Sequence, residues 1–334
     1  MSISHDHSVS SILLITLSCI GDVVLTTPVM RALKETYPAA KLTVVAGPTA
    51  SPILGRHEWV DRLVIFDNKG KQKGAKGAAA LALSLRAHKY DIVVDLRNSM
   101  IPYFVRARRR ITSHKAHLAN QNNLSRHAID RHLDVLESAG MIVTGRDMKI
   151  TIPDDVDAKV AAFMRERNLS GPGLVAVSPG AGSSYKLYPM EKYAAVLESL
   201  CKAGDFKFVA VGSNVDFKVC EYLAESIGPR VANVAGQLDI LELAALLRRC
   251  DALIANDSGP MHIGAAVGVP TVGVFGPTNA ERYGPRGSLH RIVWHREKCN
   301  PCKAPECGRA SCVGDIPPET IADAAKDVLN LKNV

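Results

Sequence analysis

The chain has few aromatic residues and no long apolar run. Phe, Trp and Tyr make up 5% of its 334 residues, and none are interleaved with basic segments, so nucleic acid is the least supported partner. The apolar run of residues 12–20 contains Thr16 and Ser18 and is shorter than the ~20 residues a membrane span needs. The N-terminal MSISHDHSVS lacks the basic segment of an export signal. We therefore expect a cytoplasmic protein.

Two common phosphate-binding fingerprints are also missing. The turn after the first predicted strand reads SCIGDVVLTTP, which is not the G-x-G-x-x-G of dinucleotide-binding folds. A later loop, PGAGSSYK, does not fit the G-x-x-x-x-G-K-[ST] of a P-loop. Neither a typical dinucleotide site nor a P-loop ATPase is predicted.

Positive charge is in excess and locally concentrated. The formal net charge is +8, from 41 Lys and Arg against 33 Asp and Glu. Such an excess attracts phosphorylated partners, here an anionic membrane surface or an acidic glycolipid, although a solvated face that only aids solubility is the alternative. The two clusters lie in the first half of the chain: Lys69, Lys71, Lys73 and Lys76, and Arg106, Arg108, Arg109 and Arg110.

Strand-like and helix-like segments alternate twice along the chain. The first series begins with SILLITL near residue 11 and the second with LVAVSPG near residue 174, and a Pro/Gly-bracketed segment separates them. This pattern predicts an α/β protein with two Rossmann-like domains, residues 1–155 and 156–334, whose parallel sheets face a central cleft. Residues 106–123, rich in Arg, His, Asn and Gln, are predicted to form an exposed loop or an irregular segment.

Candidate chemistry follows the predicted strands. In the first domain, Asp22 comes after the strand ILLITL, just before a helix predicted to start near Thr27 and Pro28. Asp22 is either an acid that stabilises a helix N-terminus or a general base acting on an acceptor hydroxyl.

In the second domain, two strand-end loops carry the signals of a diphosphate site. Residues 178–184, with Ser178 and Gly180, form a small-residue loop followed by Lys186, although such loops are often small for steric reasons alone. The segment NDSGPMHIGAA delivers a helix N-terminus that favours a diphosphate. Its candidates are Asp257, Ser258, Gly259 and His262, the last being either a site residue or a packing histidine.

Four of the eight cysteines are clustered near the C-terminus. Their spacing, C-x2-C-x4-C-x4-C, fits a structural metal site, with zinc as first choice and iron as second, or a set of unmetallated thiols. They are Cys299, Cys302, Cys307 and Cys312. A metal- or redox-sensing protein on a nucleotide-binding scaffold is the alternative function that this segment raises.

Together, these segments resemble the ADP-heptose:lipopolysaccharide heptosyltransferases, glycosyltransferase family 9, across nearly the whole chain. The matching segments are IGDVVLTTPVMRALK, DIVVDLRNS, SPGAGSSYKLYPMEKYA, NDSGPMHIGAAVGVPTVGVFGPT and CNPCKAPEC. The resemblance implies a GT-B fold, ADP-heptose as donor, a lipid A-core acceptor and an inverting, metal-independent transfer of the heptosyltransferase II type. The resemblance also implies that catalysis requires no cofactor.

The resemblance also implies roles for individual residues. It makes Asp22 the catalytic base and places the donor phosphates against Lys186, Ser258 and Gly259, with sugar hydroxyls near Asp257. It sets Asp216 near the donor ribose and the backbone around Gln237 and Leu238 near the base. Arg97, Asn98 and Arg106 are the implied acceptor contacts, with peripheral contact at the inner face of the membrane. Unlike many relatives, this chain has no basic residue in the turn Ser18, Cys19, Ile20. Another GT-B transferase or an epimerase is the nearer alternative.

Overall fold

The computed structural model describes residues 9–16, 18–113, 126–295 and 312–331. The chain divides into two compact units, Met1–Thr151 and Ile152–Val334. The division lies four residues before the predicted boundary, and each unit contains one parallel sheet flanked by helices.

The sheet of the first unit has the strand order β3-β2-β1-β4-β5 in the described part of the chain. All neighbouring strands are parallel. Strands β1, β2 and β4 are mostly buried apolar runs, as expected for a sheet covered on both faces. The strands are β1 (Ser11–Ile15), β2 (Lys41–Ala46), β3 (Arg62–Ile65), β4 (Lys89–Asp95) and β5 (Arg106–Thr112).

Strand β5 corrects one prediction. Residues 106–112 were expected in an exposed loop, but they pair with β4 from Lys89↔Arg106 to Asp95↔Thr112. Their arginines lie on an edge strand, where exposed charge is tolerated and discourages pairing with another chain. Residues 114–123 of the predicted loop lie outside the described residues.

Six helices of the first unit are described. They are α1 (Ile20–Val24), α2 (Thr27–Thr36), α3 (Ser51–Gly55), α4 (Gly74–Arg86), α5 (Ile101–Phe104) and α6 (Ala128–Glu137). Helix α2 starts at Thr27 with Pro28 in its first turn, as predicted, because proline lacks only a donor that is unsatisfied there.

The second unit has the strand order β11-β10-β9-β6-β7-β8, again with parallel neighbours. Its strands are β6 (Leu174–Ser178), β7 (Lys207–Ala210), β8 (Val231–Asn233), β9 (Ala252–Asn256), β10 (Thr271–Phe275) and β11 (Arg291–Trp294). Every residue of β6, β9 and β10 is buried, which places these strands in the middle of the unit's core.

The described helices of the second unit cover both faces of this sheet. They are α7 (Asp154–Glu166), α8 (Met190–Ala203), α9 (Phe217–Ile227), α10 (Ile240–Leu247), α11 (Gly259–Ala266), α12 (Ala280–Tyr283) and α13 (Pro318–Leu331). Within the described ranges, no helix is long and apolar enough to cross a membrane.

Candidate functional site

Strand order reverses once in each sheet, and the candidate residues follow the strands at those points. In the first unit, the reversal lies between β1 and β4; in the second, between β6 and β9. Ligands of open α/β sheets bind outside the carboxyl ends of strands at such points. Asp22 follows β1, Lys186 follows β6 and Asp257 follows β9.

Lys186 and Asp257 form an ion pair at the reversal in the second unit. Lys186 Nζ lies 2.7 Å from Asp257 Oδ2, and the side chains are 26% and 7% exposed. The pair joins residues 71 positions apart in sequence. Because Lys186 is held at the sheet edge but still reaches solvent, its ammonium is positioned to meet an incoming anion.

Buried Asn256 joins the same two loops beneath this pair. Its Nδ2 donates to the Pro179 carbonyl at 2.6 Å, and its Oδ1 accepts from the Tyr193 hydroxyl at 3.0 Å. Burial raises the pKa of Tyr193, so this hydroxyl remains a donor. The three residues fix the end of β9 against the loop that follows β6.

Helix α11 begins directly after Asp257. Ser258 is its N-cap residue in extended conformation, and its side chain makes no capping hydrogen bond. The buried Ser258 Oγ has no hydrogen-bond partner among the described residues. A buried hydroxyl at a helix N-terminus, where free N–H groups also gather, is available to an anion.

Gly259 and His262 are the other two residues of this segment that were predicted to lie in the site. Gly259 is the first residue of α11. His262 lies in the first turn but is only 6% exposed, as a packing histidine would be.

The small-residue loop after β6 packs against Asp216. A Cβ on Gly180 would lie 2.2 Å from Asp216 Oδ1, so a larger residue there would displace the Asp216 carboxylate. Asp216 Oδ2 accepts from the backbone N and the Oγ of Ser213, both at 2.8 Å, in a capping box. Ser178 is buried at the end of β6. The loops after β6 and β7 thus form one continuous edge.

The loop after β8 adjoins this edge. Gly236 has φ +76°, and a Cβ there would lie 1.8 Å from Asn214 Oδ1. The Gln237 side chain accepts from Arg167 at 3.0 Å and donates to the Asn233 carbonyl at 3.2 Å. The partly buried Leu238 follows, so the predicted base-lining segment lies beside the Asp216 loop.

In the first unit, Asp22 lies in a short segment after β1 that neighbouring loops hold in place. This segment forms the short helix α1 rather than the turn that the sequence suggested, with Asp22 half-buried in its first turn. The Ser18 carbonyl accepts from Thr49 Oγ1 at 3.0 Å, and Ser18 Oγ donates to Asn68 Oδ1 at 3.1 Å. Loops following β2 and β3 therefore hold the segment that carries Asp22.

Lys69 supplies a cation beside this turn. Its Nζ donates to the Sγ of the exposed Cys19 at 3.8 Å. The turn Ser18, Cys19, Ile20 itself contains no basic residue. The fold nevertheless brings Lys69 to it from the segment after β3.

Asp95, which sequence reasoning missed, organises the loop after β4. It is 0% exposed and accepts from Arg97 N at 2.9 Å, Ser99 N at 2.6 Å and Ser99 Oγ at 3.0 Å. Burial raises the pKa of Asp95. Asn98 adopts φ +56° between these anchors. The signal was an acid at the end of the apolar run DIVVD.

The structure does not bring the predicted acceptor contacts together. Arg97 and Asn98 follow the carboxyl end of β4, whereas Arg106 pairs with Lys89 at the amino ends of β4 and β5. Arg97 lies over the Phe66 ring at 5.9 Å, and Arg106 is exposed at the start of β5. Arg110 instead donates to backbone carbonyls of Pro102 at 2.7 Å and Val105 at 2.9 Å, so it supports the chain around α5.

The predicted metal site lies largely outside the described residues. Cys299, Cys302 and Cys307 are not described, and only Cys312 is. Among residues that are described, no group of three His, Cys, Asp or Glu side chains is arranged to hold a metal.

Comparison with known proteins reveals similarity over most of the chain. Residues 78–311 match the model of glycosyltransferase family 9 (heptosyltransferase). A lipopolysaccharide heptosyltransferase 3 of Escherichia coli is 30% identical over 281 residues, 78% of this chain and 81% of that protein. A lipooligosaccharide heptosyltransferase 2 of Haemophilus ducreyi is 29% identical over 307 residues, covering 84% and 87%.

Solved structures agree on the fold. A family 9 glycosyltransferase from Veillonella parvula superposes with a TM-score of 0.84 at 26% identity over 99% of both chains. ADP-heptose lps heptosyltransferase II of E. coli superposes at 0.73 and 21% identity, over 97% of this chain and 100% of that one. The chain therefore belongs to glycosyltransferase family 9 and has the GT-B fold, which confirms the sequence-based family and fold class.

Proposed function

We propose that this family 9 glycosyltransferase transfers a heptose from ADP-heptose to the inner core of lipopolysaccharide, with inversion and without a catalytic metal. The observation that carries the proposal is the Lys186–Asp257 ion pair, 2.7 Å long, at the strand reversal of the second unit. The names of the similar proteins, heptosyltransferases 2 and 3, support the sugar and the acceptor.

The second unit is proposed to bind the donor. The sequence predicted this domain as residues 156–334. Lys186 and the N-terminus of α11 at Ser258 and Gly259 meet the diphosphate, and Asp257 meets sugar hydroxyls. The nucleoside binds along the edge formed by the loops that follow β6, β7 and β8. The residues assigned to it are Ser178, Gly180, Asp216, Leu238 and His262. Negative charge that develops on the departing diphosphate is then stabilised by Lys186 and the helix N-terminus.

The first unit is proposed to bind the acceptor and supply the base. Asp22 removes the proton from the acceptor hydroxyl, whose oxygen attacks the anomeric carbon opposite the leaving ADP. The new glycosidic bond forms as the bond to the diphosphate breaks, which inverts the configuration. Arg97, Asn98 and Lys69 contact acceptor phosphates. Arg106 is not assigned to the acceptor, because it pairs with Lys89 at the amino ends of β4 and β5, away from the strand ends that carry the other three residues.

The lipid acceptor places the reaction at the cytoplasmic face of the inner membrane, with peripheral contact to its anionic surface. The cysteine segment at residues 299–312 has no step in this reaction. We propose a structural role for it, and metal analysis of purified protein distinguishes zinc, iron and unmetallated thiols.

Transfer to defined, truncated cores tests the proposal. Wild type is expected to add one heptose mass from ADP-heptose to one core of the series, and that core distinguishes a heptosyltransferase II-like step from a heptosyltransferase 3-like one. Asp22→Asn should slow this gain by roughly 100-fold or more. Asp147→Asn, at a carboxylate that is 90% exposed, should keep it. No gain with any core contradicts the proposal and directs the search to other nucleotide sugars.

A further inference from the structure

An apolar surface in the first unit has no role in the proposed chemistry. Several large side chains there are exposed although they are apolar or aromatic: Leu83 is 67%, Met100 65%, Phe104 59% and Tyr103 57% exposed. Contiguous exposed apolar patches on soluble proteins mark sites of interaction.

Leu83, Met100 and Phe104 line a cavity of about 700 Å³ that lies wholly within the first unit. Helix α4 forms one wall with Ala75, Ala79 and Leu83, which are spaced four residues apart and so share one face. Met100, Ile101 and Phe104 form the other wall. The cavity is wide enough, and apolar enough, to admit hydrocarbon.

Cations surround this apolar surface, and acids are absent from its neighbourhood in sequence. No Asp or Glu occurs between Asp67 and Asp91 or between Asp95 and Asp130. Asp91 is engaged by the backbone of Ser10 and Ser11, and Asp95 is buried. Arg86 and Arg97 line the cavity, and Arg106 and Arg108 line an adjoining one that also contacts Phe104.

From this arrangement we propose that the α4–α5 surface docks on an anionic phospholipid bilayer, with Leu83, Met100 and Phe104 entering the acyl region. Its charge is complementary to lipid phosphates, and an apolar face bordered by Lys and Arg is the pattern of interfacial membrane binding. The inference extends the membrane contact proposed above by assigning it to residues and adding hydrocarbon insertion to charge attraction.

Vesicle binding without acceptor tests this docking surface. The full-length protein is expected to sediment with phosphatidylcholine vesicles that contain phosphatidylglycerol, and only weakly with phosphatidylcholine alone. Leu83→Gln/Phe104→Gln should lower the partition coefficient by about 30-fold, and Arg86→Gln/Arg108→Gln by about tenfold. The matched controls are Ile142→Gln, at a side chain 69% exposed in the same unit, and Lys202→Gln in the second unit.

A tryptophan reporter separates insertion from surface attraction. Leu83→Trp is expected to be quenched by phosphatidylglycerol with brominated acyl chains, well beyond the quenching of wild type. Binding without added quenching, sedimentation unaffected by the Leu83/Phe104 change, or no sedimentation at all would overturn the proposal. Transfer to a deacylated, water-soluble core is measured in parallel: if it remains normal while docking fails, only the docking proposal is wrong.

Discussion

The two sheets present different surfaces at the edge where their strands end. In the second unit, opposite charges are paired at 2.7 Å and glycines bring neighbouring loops into contact. In the first unit, Lys69 is exposed, Arg97 and Asp22 are half-buried and Asp95 is buried. The same strand arrangement therefore supports a compact site for a small anion in one unit and an open cationic surface in the other.

The largest expected effect comes from removing the proposed catalytic base of the first unit. Asp22→Asn removes the proposed base while preserving size, so the transfer rate should fall by roughly 100- to 10,000-fold. Single-turnover transfer with preloaded ADP-heptose measures this step. Asp147→Asn is the control, and a rate within threefold of wild type for Asp22→Asn would refute the assigned base.

The next effect falls on the second unit. Lys186→Met should slow transfer by about 100- to 1,000-fold, because one preorganised group that stabilises the leaving diphosphate is lost. It also leaves the Asp257 carboxylate without its counter-ion, which costs stability.

A double variant separates these two consequences. In Lys186→Met/Asp257→Asn the unpaired charge is gone, so melting temperature should return toward that of wild type while transfer stays slow. If transfer recovered with stability, Lys186 would be structural only.

A smaller effect tests Asp95 as a positioning residue of the first unit. Asparagine has one acceptor oxygen and cannot replace both carboxylate oxygens that hold Arg97 and Ser99. Asp95→Asn should raise KM for the acceptor about tenfold and leave KM for ADP-heptose unchanged. Steady-state kinetics with each substrate varied in turn measures both, and equal changes in both constants would indicate general loss of structure.

The smallest effect concerns stability of the second unit alone. His290 Nδ1 accepts from Thr271 N at 3.2 Å, and burial lowers the pKa of His290 to about 4 from 6.5. In the unfolded chain, the His290 imidazole binds a proton with its ordinary pKa of 6.5, whereas in the folded chain it does so only near pH 4. His290 therefore has no effect on stability above pH 6.5 and lowers the free energy of unfolding as the pH falls toward 4.

His290→Asn keeps an acceptor but cannot titrate. As the pH falls, the free energy of unfolding of this variant should decrease by roughly 1–2 kcal/mol less than that of wild type, after allowance for partial exposure of the ring. Urea unfolding across this pH range provides the measurement. Parallel curves for wild type and variant would show that His290 does not titrate as described.

The fold class was predictable because buried β-branched strands alternate with helices in two series. The family was predictable only from the resemblance of segments such as NDSGPMHIGAA to glycosyltransferase family 9. Asp22, Lys186 and Asp257 were predicted as site residues because each lies in a segment that follows a strand. The strand Arg106–Thr112 was missed, since four arginines resemble a loop until an edge position is known. Asp95 was missed although its partners Arg97 and Ser99 are local in sequence, because an acid at a strand end does not by itself reveal that it is buried. The position of Lys69 beside Cys19 was missed because that contact joins residues 50 positions apart.

Calorimetric titration of ADP into wild type, Lys186→Met and Asp22→Asn tests the central claim most directly. The account predicts that Lys186→Met weakens ADP binding by about 30-fold or more, because a charge-assisted contact to the diphosphate is lost. Asp22→Asn should bind ADP as wild type does. Unchanged binding by Lys186→Met, or lost binding by Asp22→Asn, would contradict the assignment of the donor to the second unit and of the base to the first.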